Sequence, residues 1–359
     1  MNYRVLAINP GSTSTKIAVF DDVTPVFVKT LRHDAAKIAE FEGIIDQYEF
    51  RKELVLEVMK ENNIEPKSLD AVVGRGGLVK PLKSGGTYIV NDIMLEDLKD
   101  PTRWGRIHAS NLGAFIAKSI ADDLGLTAYI VDPVPVDEFP EIARISGVPE
   151  IERKSLFHAL NIRYIARLLA RELGKYFVDC NMIGVHLGGG ISVVAIEKSK
   201  AIDVNNGLLG MGPFSPQRAG GLPIGDLLDM AYSGEYTKKE LVGKLAAKSG
   251  LLAYLGTDDG LEIEKRIQNG DQKAELIMSA MCYQIGKEIG ACAAALKGNV
   301  DAIFITGGLA YDKFIVNYVT AMTKFIAPVH VIPGEREMEA LTQGAVRVLK
   351  GMETGKNYV

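Results

Sequence analysis

Apolar runs of strand length alternate with glycine-rich turns at the start of the chain, and the same alternation returns half-way along it. Residues 5–8, 17–20 and 26–30 are three such runs, and they predict a β-meander. Between the first two lies a small, hydroxyl-rich turn, Asn9-Pro10-Gly11-Ser12-Thr13-Ser14-Thr15-Lys16. A helical pattern is expected over residues 35–62, then a short strand at 71–74 that ends in Arg75-Gly76-Gly77. Gly105-Arg106-Ile107-His108-Ala109-Ser110 leads into a helix whose apolar stripe is Ala114, Ile116, Ala117, Ile120 and Leu124. A strand at 128–131 ends in Asp132, and the proline-rich run 132–136 after it is unsuited to regular structure. Another helix runs from near Ser155 to about residue 173.

The outline then repeats. Apolar strands are expected at 182–187, 191–197 and 201–204, with Gly188-Gly189-Gly190 as the first turn. A long helical run over 271–296 stops at Gly298-Asn299, and a strand at 302–306 opens on Gly307-Gly308. Val331-Ile332-Pro333 leads to Glu335, Arg336 and Glu337 and a last helix over 338–350. Strand, glycine turn, strand, strand in both halves reads as an internal duplication. The expected fold is α/β, with two like-folded halves facing each other across a cleft and glycine turns from both holding one nucleotide.

Composition narrows the class. A chain of 359 residues that is 47% hydrophobic can bury a large core and favours roughly two domains. The 41 basic and 45 acidic residues are mixed along it, so it has no basic stripe to neutralise nucleic-acid phosphates. No uninterrupted apolar window reaches the roughly 18 residues of a membrane span, and the first residues lack signal-peptide anatomy, so a cytoplasmic protein without membrane association is expected. Cys180, Cys282 and Cys292 form neither a metal pair nor an even disulfide set, and the last two read as small buried hydrophobes in a helix.

The first turn carries the chemistry. Gly11 permits backbone conformations that let successive amides converge on an anion, and the hydroxyls and the Lys16 ammonium add donors, which suits a nucleotide polyphosphate. It is not a P-loop: Thr15 rather than glycine precedes Lys16, and a strand rather than a helix follows. A polar hairpin turn without ligand is the plainer alternative. Arg75 and Arg218 each lie beside glycines, where a guanidinium fork can grip a carboxylate or phosphoryl group, although such an arginine is more often a solvated surface charge. His108 and His158 precede helices, where capping is the common role; His186 lies in a strand, and His33 and His330 have no motif around them and read as structural. Asp132, at a strand end, is a candidate magnesium ligand beside the commoner role of capping a turn.

The 9–16 loop, Val185-His186-Leu187-Gly188-Gly189-Gly190 and Ile305-Thr306-Gly307-Gly308 resemble, in that order and with those gaps, the first phosphate, second phosphate and adenosine motifs of the acetate and sugar kinase/Hsp70/actin superfamily. Within it the chain resembles the acetokinase family along its whole length. The loop is most similar to that of the family's butyrate kinases, whereas acetate kinases are longer and usually carry a triple serine there. The resemblance implies two actin-like (ribonuclease H-like) domains, residues 1–155 plus 334–359 and residues 156–333. It implies reversible transfer of the ATP γ-phosphoryl group to a short-chain carboxylate, butyrate or isobutyrate, with acetate and propionate as alternatives. Mg2+ with ATP or ADP, and a homodimer or higher homo-oligomer, are implied as well.

On the same basis Arg75 and Arg218 bind substrate and the transferring phosphoryl group, and His158 stabilises the transition state. Asn9, Gly11, Ser12, Ser14, Lys16, His186, Gly188, Gly189, Gly190, Gly307 and Gly308 fall on nucleotide-binding positions. Gly77, Ile107, His108, Phe157 and Pro213 join Arg75 around the acid. Gly77 stands where acetate kinases usually have valine, which implies a longer acyl pocket unless the glycine serves only the backbone turn. Asp132 and Glu337 match the metal-associated carboxylates, but Arg336 separates Glu335 from Glu337 where the family has paired glutamates.

The chemistry separates this reading from two others on the same fold. A sugar hydroxyl must lose a proton to a carboxylate base, whereas a carboxylic acid is already ionised and needs cations to approach a negative phosphoryl group. A nucleotide-driven switch of the actin or chaperone type needs neither two arginines with a histidine nor a small-molecule site, and no segment is left over here for a client domain.

Overall fold

The structure, a computed structural model, describes residues 2–100, 103–104 and 108–359. Twelve strands are formed among them: β1 (Arg4–Pro10), β2 (Ser14–Asp21), β3 (Thr24–Arg32), β4 (Ala71–Arg75), β5 (Thr87–Ile89), β6 (Ala128–Val131), β7 (Asn181–Leu187), β8 (Ile191–Glu197), β9 (Lys200–Val204), β10 (Ala302–Thr306), β11 (Val329–Val331) and β12 (Lys356–Asn357). The chain divides into a first unit, Met1–Val136 with Arg336–Val359, and a second, Asp137–Glu335.

In the first unit the sheet order is β12-β5-β6-β4-β1-β2-β3. The β1, β2 and β3 meander is antiparallel, while β4 runs parallel to β1 and β6 parallel to β4. The second unit has the order β11-β10-β7-β8-β9, again an antiparallel meander, with β10 parallel to β7 and β11 parallel to β10. Five strands therefore repeat with the same order and directions. Even the irregularity recurs, between Val19 and Phe20 in one meander and between Ala195 and Ile196 in the other. The duplication read from the sequence is present in the topology.

The central strands β1, β2, β4, β6, β7, β8 and β10 are buried along most of their length, which is why they read as apolar runs, whereas β3 has no buried residue. Leu6, Ile8 and Val72 pack with Val55 and Met59 of the helix Tyr48–Glu61 and Ile116 and Ile120 of the helix Leu112–Leu124. The helix Glu337–Leu349 packs against β1, β4 and β6 as well. Gly344 lets it approach closely, since a Cβ there would lie 2.6 Å from Val131 Cγ1. In the second unit Ile183, Val185 and Val193 meet Met278, Cys282, Ile285 and Ile289 of the helix Gln272–Ala295, whose first turn is capped by Asp271 accepting from the Ala274 N–H. All three cysteines are buried and form no disulfide, and the burial was expected of Cys282 and Cys292. Among the described residues no helix is long and apolar enough to cross a membrane.

The helical pattern at 35–62 is broken into Ala35–Ala39 and Tyr48–Glu61. The break falls at Gly43, whose N–H is held by the Asp46 carboxylate. Helices at Asp92–Lys99, Ile224–Tyr232, Lys238–Ala247, Gly250–Leu255, Gly260–Gln268 and Lys313–Thr323 were not expected from the pattern.

Candidate active site

Parallel pairing of β1, β4 and β6 sets their carboxyl ends at one edge of the first sheet, where open α/β sheets hold ligands. Asn9, Arg75 and Asp132 all sit there. Asn9 and Arg75 meet on Glu337, the first residue of its helix: one oxygen, Oε2, accepts from Asn9 Nδ2 at 2.6 Å and from Arg75 Nη1 at 2.8 Å. Arg75 Nη1 also donates to Asn9 Oδ1 at 3.3 Å. The arginine is thus no solvated surface charge. It is a half-buried cation aimed by a buried carboxylate and by the first residue of the hydroxyl-rich loop.

That loop is an open turn between paired strands, with Asn9 opposite Lys16 and Pro10 opposite Thr15. The Gly11 N–H donates to Ser14 O at 2.7 Å, which closes the turn; Ser12 and Thr13 are exposed at its tip. Its interior side is held by Thr15, whose hydroxyl lies 2.8 Å from His33 Nε2, and by the buried Arg51. Burial, with the Arg51 charge adding to it, lowers the His33 pKa to about 4, so this imidazole is neutral at physiological pH. His33 remains a structural residue, but one that serves the loop.

Asp132 lies at the end of β6 with φ of 40°, a strained conformation for a side-chain-bearing residue. Its Oδ1 accepts from the Gly86 N–H at 2.6 Å, and its own N–H donates to Gly86 O, so it pins that turn. His108 accepts the Ser110 N–H on Nδ1 at 3.1 Å and caps the short helical turn Ala109–Asn111, which leaves Nε2 as the ring nitrogen able to donate outward. Ile107 lies outside the described residues.

Gly77 requires a correction. A Cβ at this position would collide with Asn111, 2.7 Å from its Cα and 2.8 Å from its Cγ. The room that the sequence reading placed beside Gly77 is occupied by Asn111, whose Oδ1 accepts from the Leu78 N–H. This glycine serves close backbone packing, and a valine here would displace Asn111 instead of shortening an acyl pocket.

In the second unit His186, at the end of β7, is buried and pairs across the sheet with Ser192 and Thr306. Asn161 Nδ2 donates to its Nδ1 at 3.1 Å, so the proton of the neutral ring sits on Nε2, which lies 3.5 Å from Glu335 Oε1. His158 stacks flat on it, with ring centroids 3.9 Å apart, and its Nδ1 lies 2.9 Å from Ser192 Oγ. His158 immediately precedes the helix Ala159–Glu172 but makes no capping bond with its side chain. Phe157 and Pro213 are buried in this same unit.

The glycine turn 188–190 is closed by the Gly188 N–H donating to Gly190 O, and Ser215 Oγ donates to Gly189 O at 2.6 Å. Arg218 lies over Gly190 and donates to Gly207 O. A Cβ on Gly190 would be 2.7 Å from the Arg218 Cζ, so the glycine turn and the arginine are one construction. Gly307, with φ of 93°, pairs through its backbone with Gly334, and Gly308 is exposed next to it. The two glutamates that flank Arg336 consequently serve different units, Glu335 beside His186 and Glu337 beside Arg75.

Among the described residues no group of three His, Cys, Asp or Glu side chains gathers as a metal cage. Asp132, at the end of β6, and Glu337, bonded to Asn9 and Arg75, are carboxylates at the first sheet edge.

Arg51, Asn161, Ser192 and Asn111 were missed by the sequence reading. Arg51 alone left a signal there. It falls four, seven and eight residues before Val55, Val58 and Met59, on the buried face of its helix, where a cation needs a reason.

Residues 149–327 match the model of the Acetokinase family. The acetokinase match holds His158, His186, Gly188, Gly189, Gly190, Arg218, Gly307 and Gly308, and it ends before Glu335. Three solved structures share the fold over nearly the whole chain. Acetate kinase of Porphyromonas gingivalis is 22% identical, with 98% of this chain and 100% of that one covered and a TM-score of 0.76. A propionate kinase from Francisella tularensis subsp. tularensis is 18% identical, covering 95% and 98%, with a TM-score of 0.76. Acetate kinase from Entamoeba histolytica is 19% identical, covering 96% and 99%, with a TM-score of 0.73.

Proposed function

We propose that this chain is a carboxylate kinase of the acetokinase type, which transfers the γ-phosphoryl group of MgATP reversibly to a short-chain acid. A carboxylate oxygen attacks the γ-phosphorus, the new O–P bond forms as the bond to the β-phosphate oxygen breaks, and acyl phosphate and ADP leave without any proton transfer. The observation that carries this reading is the Arg75 guanidinium held by Asn9 and Glu337, which ties a cation fit for an acid to a loop fit for a phosphate. In this reading Arg75 binds the acid, and Arg218 and His158 stabilise the charge that spreads over the equatorial oxygens. Asn9, Gly11, Ser12, Ser14 and Lys16, with His186, Gly188, Gly189, Gly190, Gly307 and Gly308, bind nucleotide, and His108, Phe157 and Pro213 flank the acid. Asp132 and Glu337 would hold Mg2+, which would supply neutralising charge for the phosphates.

Butyrate or isobutyrate is the preferred acid in this proposal, supported now by the likeness of the 9–16 loop alone, since Gly77 adds no room. The deciding experiment is hydroxylamine trapping of acyl phosphate across acetate, propionate, butyrate and isobutyrate. Each buried methylene is worth about 0.8 kcal/mol, so a four-carbon preference should reach tenfold or more in kcat/KM over acetate. A flat series would remove the butyrate assignment, and an absence of acyl phosphate with every acid would remove the carboxylate kinase.

The loop assignment has its own expected outcome. Ser12→Ala with Lys16→Ala should raise the KM for MgATP at least tenfold and leave the KM for the acid nearly unchanged. A change confined to the acid would assign the loop to the other substrate.

A homo-oligomer is part of the proposal. Among its described residues the helix Ile224–Tyr232 buries none, and Ile224, Leu228 and Tyr232, on one face at steps of four, are 74%, 51% and 86% exposed. The same unit carries an apolar recess of about 520 Å3 lined by Phe214, Leu222, Met230 and Tyr254, so ridge and hole are both available to a second copy. Leu228→Lys should shift the mass measured by light scattering from a multimer to a monomer. A native protein that is already monomeric would remove this part.

A further inference from the structure

The buried side of the 9–16 loop is organised by a cation that has no acidic partner among the described residues. Arg51, only 1% exposed, comes from the helix Tyr48–Glu61, and among the described residues no carboxylate faces it. Its guanidinium is solvated by the loop itself. Nη1 donates to Gly11 O at 2.8 Å, to Ser14 O at 3.0 Å and to Thr15 Oγ1 at 3.1 Å, and Nη2 donates to Ser12 O at 3.1 Å. Gln47 Oε1 takes the remaining direction, at 2.8 Å from Nη2 and 3.2 Å from Nε.

The planar trans peptide turns this into an instruction for the loop's outer side. In each peptide unit the C=O of one residue points opposite to the N–H of the next. With the Gly11 and Ser12 carbonyls drawn onto Arg51, the N–H groups of Ser12 and Thr13 point away from it, and neither donates to another group among the described residues. Two adjacent free amides beside exposed hydroxyls form an anion nest, and the peptide dipoles between them and Arg51 are aligned with the buried charge behind them.

We propose that Arg51 is the positioning residue of the phosphate loop, fixing the direction of the Ser12 and Thr13 amides and supplying the buried positive charge that a bound nucleotide phosphate neutralises. This rests on the reading of residues 9–16 as a phosphate loop. Burial brings the Arg51 pKa down to about 10, so the charge persists at neutral pH. A buried arginine with only a packing role would have a carboxylate partner or would turn its fork to solvent. Here three backbone carbonyls of one ligand loop converge on it.

The test compares native protein, Arg51→Lys and Arg51→Met for binding of adenosine, ADP and inorganic tripolyphosphate by calorimetry, with thermal melting as the control for folding. Lysine keeps the charge but cannot span the carbonyls of Gly11, Ser12 and Ser14 with one ammonium. Arg51→Lys should weaken ADP and tripolyphosphate about tenfold or more and adenosine less than twofold, and raise the KM for MgATP while the KM for the acid stays within twofold. Arg51→Met should do the same more strongly; if it does not fold, the lysine variant decides. ADP and tripolyphosphate bound by Arg51→Lys as tightly as by native protein would overturn the role of Arg51, and so would an equal loss for adenosine. A native protein that binds neither phosphate compound would instead overturn the loop reading, and the proposal with it.

Discussion

Arg75→Ala should lower turnover at least a hundredfold while the protein stays folded. In the proposed reaction the arginine would supply charge stabilisation worth about 3 to 5 kcal/mol when a carboxylate approaches a transferring phosphoryl group, and among the described residues no other cation is bonded to Glu337 to take its place. Two effects add. The cation is lost, and Glu337, with a side chain only 11% exposed, loses its ion-pair partner beside the 9–16 loop while its bond to Asn9 remains. Arg75→Lys should therefore fall between native and alanine: it restores charge without the planar fork. Melting curves should separate this from unfolding, because neither β4 nor its pairing with β1 depends on the side chain. Arg75→Ala with near-native turnover would remove Arg75 from the site.

The central strands and their duplication were legible because these strands are buried along most of their length and appear as apolar runs, punctuated by glycine turns. The pieces that escaped lack that signature. β5 and β12 have three and two residues, too few for a period to emerge. The helix Ile224–Tyr232 buries none of its apolar residues within the chain, so its pattern has no internal partner to explain it. At the site, Arg75 was legible because it ends a strand beside two glycines. Its alignment by Asn9 and Glu337 was not, since Asn9 and Glu337 stand 328 positions apart and only the packing of the last helix on β1 and β4 brings them together. His108 shows the plainer role in use, as a cap, and the space beside Gly77 is filled by Asn111 from that same short helical turn.

Gly190→Ala should cost nearly as much activity as removing Arg218, through a single methyl group. The added Cβ would stand 2.7 Å from the Arg218 Cζ and 3.0 Å from Gly207 O, so the guanidinium must leave its position over the turn and its bond to Gly207 O. The obstructing group is the end of a flexible side chain, which can swing away, so the fold should survive with a loss of about 1 to 3 kcal/mol of the kind that overpacking brings. Turnover should fall about tenfold to a hundredfold, because in the proposed reaction a guanidinium displaced by an ångström or more would no longer meet the charge developing on the phosphoryl oxygens. Additivity provides the check. If the methyl acts by moving Arg218, then Gly190→Ala combined with Arg218→Ala should be no slower than Arg218→Ala alone, since the second change finds nothing left to displace. Independent, multiplying losses would mean that Gly190 is needed for the turn itself, for instance to let the Gly188 N–H reach Gly190 O, and that the packing of Arg218 over it has no part in the reaction.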